Sequence, residues 1–80
     1  MALETGAQLR AGRAMARLDQ ESLAELAGVA VNTVRRIEAV DGPASANLAT
    51  VRKLQRALEA TGVEFRPDGS VRLREAAEAS

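Results

Sequence analysis

Residues Gln20 to Glu38, QESLAELAGVAVNTVRRIE, decide how this chain is read. Asp19 is a good N-cap for a helix over Gln20–Ala27, because its side chain can accept a backbone N–H left open in the first turn. Leu23, Ala24 and Ala27 fall on one face of that helix, and Gly28 ends it as a glycine that can turn left-handed. A second helix is expected from about Val31 to Ala39, with Val34 and Ile37 turned inward. Ala24 is small where the two helices must approach closely. What remains on the outside is unusual. Gln20 opens the first helix, and Asn32, Thr33, Arg35 and Arg36 line the second, with no obvious structural task.

Working outward, Met1–Glu4 read as a frayed start. Thr5 followed by Gln8 has the spacing of a capping box, opening a helix near Gly6 that runs to about Arg17. Leu9, Ala16 and the following Leu18 are its apolar positions. Beyond the central pair, Val40–Ala44 carries the turn residues Asp41, Gly42 and Pro43. Ser45 is the expected N-cap of a fourth helix ending near Ala60 or Thr61, with Leu48, Val51, Leu54 and Leu58 as its stripe. The period then changes. Val63-Glu64-Phe65-Arg66 and Val71-Arg72-Leu73-Arg74 alternate apolar and charged around Pro67-Asp68-Gly69-Ser70, the pattern of a β-hairpin. The expected division is a helical domain over 5–61, a hairpin over 62–74 and a short, frayed or weakly helical tail over 75–80.

Composition narrows the function. Eighty residues make one domain with a modest core. The absence of cysteine and histidine argues against disulfides, the common metal sites and the usual general base, and no cofactor is expected. Carboxylates without such partners, in a chain too small for a deep pocket, argue against an enzyme. No apolar run is long enough to span a bilayer, so a cytoplasmic protein is expected, with no membrane partner. A single aromatic, Phe65, is too few for a base-stacking platform, which disfavours single-stranded nucleic acids. The net charge is zero, which argues against a polycationic DNA coat but not against a localised contact.

Two helices meeting at a glycine, the second with a polar outer face, suit double-stranded DNA: one helix crosses the backbone and the next enters the major groove. The pattern Leu9-Arg10, Arg13, Leu18-Asp19-Gln20, Leu23-Ala24, Gly28-Val29, Val34 and Ile37-Glu38, with Leu54 and Leu58 in a later helix, resembles the phage-repressor and Cro-like (Xre-type) helix-turn-helix family over about Leu9 to Leu58. The resemblance implies a mostly α, lambda-repressor-like bundle of four or five helices, here with a short C-terminal β-hairpin added. It also implies a transcriptional regulator, usually a repressor, that binds a pseudo-palindromic operator as a homodimer. By the same resemblance Gln20 meets a phosphate, Val31, Asn32, Thr33 and Arg36 face bases, and Arg13 and Glu38 form an internal ion pair. The chain departs from the family at Ala30, where a capping Ser or Thr is usual, and at Asp41, where a basic residue would help to hold DNA.

The chemistry of the side chains suits these roles. Arg36 can donate twice to guanine, and Asn32 can pair with adenine, each worth on the order of 1–3 kcal/mol of discrimination. Val31 offers apolar contact to a thymine methyl. Arg35, Arg52 and Lys53 are candidates for the backbone. Against these stand simpler readings: a solvated Arg36, and local helix-start bonding by Asn32 and Thr33. Arg10, Arg17, Arg52 and Arg56 are expected in solvent, with Arg52 and Lys53 reaching flanking backbone only if the fourth helix lies near the groove edge. The hairpin face of Val63, Phe65, Val71 and Leu73 either caps the chain's own helices or joins a second protomer, and the favoured reading is dimerisation. Two other functions fit the same residues: an antitoxin whose protein partner is a toxin or co-regulator, and a helical adaptor that binds no DNA.

Overall fold

Thr5 starts the fold as its spacing predicts. Its hydroxyl accepts from Gln8 N at 3.1 Å while Gln8 Oε1 accepts from Thr5 N at 3.0 Å, completing the capping box. In the computed structural model, which describes residues 3–74, four helices and one hairpin follow in order. They are α1 (Gly6–Met15), α2 (Gln20–Ala27), α3 (Val31–Glu38), α4 (Leu48–Ala60), β1 (Val63–Phe65) and β2 (Val71–Leu73). The bundle therefore has four helices. The expectation for 75–80 lies outside the described residues, as do Met1 and Ala2.

A single core joins all the elements. Leu9 of α1, Leu23 and Ala24 of α2, Val34 and Ile37 of α3, and Val51, Leu54 and Leu58 of α4 are buried together with Val63 and Phe65 of β1. Burial of a large aliphatic or aromatic side chain stabilises by roughly 1.5–3 kcal/mol, so the hairpin is part of the bundle's stability. The strands pair antiparallel with Val63 opposite Leu73 and Phe65 opposite Val71. Gln8 ties the turn down by donating Nε2 to the carbonyl of Gly69 at 3.0 Å.

Several expectations are corrected. Leu3 is not frayed: it is 3% exposed and joins the core, with its N–H on Gln55 Oε1 at 3.0 Å. The first helix stops at Met15 rather than Arg17, because Arg17 takes φ 59° and turns the chain. The fourth helix is capped by Asn47, whose side chain accepts from Thr50 N at 2.8 Å, and not by Ser45. Its later start leaves Leu48 at the helix's first position, 66% exposed and ahead of the buried stripe that begins at Val51.

Arg10 is also not free in solvent. It bonds the carbonyl of Glu38 at 2.6 Å and pairs with Asp41. The N-terminus of α1 meets the end of α3 here, with Gly6 N on Gly42 O at 2.9 Å. The N–H groups at the start of α1 thus bond carbonyls of the loop after α3, while the Glu38 carbonyl at the end of α3 accepts from a guanidinium, the charge sign that a helix C-terminus favours. A Cβ on Gly6 would lie 2.0 Å from Val40 O and 2.2 Å from Ile37 O, so this contact needs glycine.

Candidate nucleic-acid interface

The turn between α2 and α3 is built from local chemistry. Asp19 accepts from Ser22 N at 2.7 Å, and this bond holds its carboxyl below the ordinary value of 3.8. Gly28 has φ 74°, a left-handed conformation that costs glycine nothing. Val29 N then closes back on Ala24 O at 3.0 Å. Ala30 occupies the N-cap of α3 without a side-chain bond, as its methyl requires. Loss of such a cap costs about 1 kcal/mol, which the buried Val34 and Ile37 must offset through packing.

Beneath the turn lies a buried ionic network. Glu38, 5% exposed, accepts from Arg13 Nε at 2.7 Å and from Arg13 Nη2 at 2.8 Å. Arg13 Nη1 donates to Leu18 O at 3.0 Å, and its pKa is raised chiefly by the hydrogen bonds to Glu38. Gln20 Nε2 adds a third donor to Glu38, at 3.0 Å from Oε1. One carboxylate therefore joins α1, the start of α2 and the end of α3. The expected phosphate residue Gln20 has one amide N–H held inward, which leaves its second N–H and its oxygen for an outside partner.

The outer face of α3 has a different character. Asn32, Arg35 and Arg36 are exposed, while Val31 and Thr33 are half-buried, Val31 against the core. Arg35 Nη1 donates to Asn32 Oδ1 at 3.0 Å and Nη2 stands 3.9 Å from Glu21 Oε2. Arg36 reaches to the loop before α4 and donates Nε and Nη2 to Ser45 O, both at 3.3 Å. These contacts are local and in solvent, and those of Arg36 are long, so an outside acceptor can replace them at little cost. Arg52 and Lys53 are exposed on α4. Glu21 and Asp41 stand close to Arg35 and Arg10 respectively, so part of the negative surface is neutralised within the chain.

The four residues expected at a dimer contact divide. Val63 and Phe65 are buried in the chain's own core, Val71 is half-buried against it, and only Leu73 is substantially open, at 45%. The physical reason is that a two-stranded hairpin must pack on something, and α1 and α4 are the nearest apolar surfaces. The inner face is thus spent on the chain's own helices.

Among the described residues no helix is long and apolar enough to cross a membrane. A family model described as a helix-turn-helix domain matches residues 4–67. No curated protein matches the chain. The matched span runs from the strap ahead of α1 through the hairpin turn at Pro67, so it takes in all four helices and β1 as well as the central pair. On that match, the chain belongs to the helix-turn-helix domain family, an architecture of DNA-binding regulators.

Proposed function

We propose that the chain is a sequence-specific transcriptional repressor that sets α3 into the major groove of a pseudo-palindromic operator and binds it as a homodimer. The observation that carries this reading is the contrast on α3. Its inner face is fixed by Glu38, Val34 and Ile37, whereas its outer face presents Asn32, Arg35 and Arg36 with only exchangeable partners. Arg36 spends two of its five N–H groups on Ser45, and its planar fork matches guanine O6 and N7. Asn32, once its oxygen leaves Arg35, matches adenine. Val31 and Thr33 border them at the start of the helix. Gln20 and the N-terminus of α2 supply the phosphate contact that sets register, with Arg35, Arg52 and Lys53 as flanking charges. The protein acts in the cytoplasm, on the nucleoid.

Selection of bound fragments from random double-stranded DNA tests the reading. The expected result is a site of two inverted half-sites whose centres lie about 10 bp, or a multiple of one helical turn, apart, with affinity that falls steeply as salt rises. Absence of binding to any fragment at low salt contradicts it and favours an adaptor that uses the same helices for protein contact.

A further inference from the structure

Resting on the DNA-binding reading above, we propose that Arg17 is a further contact to the DNA backbone, donating to a phosphate beside the one that Gln20 meets.

Arg17 stands in the turn between α1 and α2, in a backbone conformation that does not suit it. Its φ is 59°, and every other positive φ among the described residues belongs to a glycine. A residue with a Cβ is disfavoured there, whereas glycine, and to a lesser degree asparagine, is tolerated. The arginine gives the fold nothing in return. It is exposed, and its guanidinium has no hydrogen bond or ion pair among the described residues. Arg10, Arg13, Arg35, Arg36, Arg66 and Arg74, by contrast, all bond within the chain. Strain kept where the fold does not use it points to a task outside the fold.

The place of the turn identifies that task. Arg17 lies three residues ahead of Gln20, so at most about 11 Å of chain separates them. Both hang from the same buried pair. Leu18 N bonds Arg13 O at 3.2 Å, and Leu18 O accepts from Arg13 Nη1 at 3.0 Å, which clamps the turn just after Arg17. Arg13 holds Glu38, and Glu38 accepts from Gln20 at 3.0 Å. A phosphate that reaches Gln20 therefore meets Arg17 at a set distance. Charge supplies the second argument. Asp19 is exposed beside Gln20, and its carboxylate is kept in place by the bond from Ser22 N that caps α2. Glu21 adds a second carboxylate in the first turn of that helix. Like charges at close range repel, so DNA approaching the start of α2 needs a cation there. Arg17 is on the same turn with its donors uncommitted, and its planar fork fits a phosphate.

Single variants separate the contact from the fold: Arg17→Gly, Arg17→Asn and Arg17→Lys. Thermal unfolding is measured beside affinity for a selected DNA site and for an unrelated duplex, over a salt series and below the unfolding range. Arg72→Gln, which removes an exposed arginine from β2, sets the effect of one lost charge. The expected result is a split between the two readouts. Arg17→Gly raises the unfolding midpoint and Arg17→Asn does not lower it. Both nevertheless bind several-fold more weakly to both duplexes than Arg72→Gln does, with a salt slope reduced by about one for each protomer on the DNA. Arg17→Lys recovers most of the slope. Binding by Arg17→Gly and Arg17→Asn that matches Arg72→Gln overturns the contact. A lower midpoint in both variants overturns it too, because the arginine then serves the fold. A loss confined to one base pair does the same, since it makes Arg17 a reader of bases. The two levels remain distinct: a parent protein that binds neither duplex at low salt removes the DNA-binding reading and the contact together, whereas a parent that binds and an Arg17→Gly that binds equally well remove the contact alone.

Discussion

The two faces of α3 carry similar groups and treat them differently. On the inner face, Glu38 receives three donors from Arg13 and Gln20 within 3.0 Å and is almost completely buried. On the outer face, Asn32, Arg35 and Arg36 bond only to one another or to nearby loop and helix groups, in solvent. Removal of one member of a buried pair strands a charge, whereas loss of an exposed pair costs almost nothing. The difference teaches that a reader of DNA needs a helix that is held hard on one side so that the other can exchange its partners without moving the scaffold.

The largest break in this comparison should come from Arg13→Ala. It leaves Glu38 buried with only Gln20 as donor, and should lower unfolding stability by roughly 3–5 kcal/mol in a denaturant titration. A loss below 1 kcal/mol would mean that water enters and solvates Glu38, and the inner face would then be no firmer than the outer one.

Gly6→Ala should come next. The added methyl meets two backbone carbonyls at the end of α3, which have no side-chain freedom to yield. A cost of about 1–3 kcal/mol is expected, the range for forced overpacking, seen as a lower midpoint in thermal unfolding. Equal stability would show that α1 does not seat on α3 as closely as the distances indicate.

The smallest effect has the opposite sign. Arg17 is the one non-glycine residue with positive φ among the described residues, at 59°. Left-handed backbone costs an ordinary residue roughly 1–2 kcal/mol, so Arg17→Gly should stabilise by about 1 kcal/mol, reduced by the extra freedom glycine gains when unfolded. A destabilised variant would show that the arginine side chain makes a contact worth more than the strain.

Much of this architecture was legible because its signals are local. The capping box at Thr5 and Gln8, the cap at Asp19, the left-handed glycine at Gly28 and the change to period two after Gly62 each lie within a few residues, and the structure has them all. The features that escaped are long-range. Arg10 meets Glu38 O across 28 positions, Leu3 meets Gln55 across 52 and Gln8 meets Gly69 across 61. Nothing in the spacing of an arginine, a leucine or a glutamine says which distant carbonyl or amide it will find. Leu48 misled for a related reason: the stripe is continuous in sequence, but the core beneath it begins one turn later. The hairpin's apolar alternation was plain, yet periodicity alone could not say whose helices it would cover. At the candidate interface, the residue types on α3 were readable, whereas the present partners of Asn32, Arg35 and Arg36 depend on rotamers and a loop carbonyl that no pattern specifies.

The central claim is that the outer face of α3 reads bases while the inner face holds the fold. The direct measurement is the affinity of the parent protein and of Arg36→Ala for a selected DNA site and for its single base-pair variants, alongside the unfolding stability of both proteins. The account predicts stability within about 0.5 kcal/mol of the parent, because the site is exposed, and a loss of roughly 1–3 kcal/mol of discrimination confined to one base pair in each half-site. Unchanged preference at every position, or weaker binding spread evenly over all sequences, would contradict it.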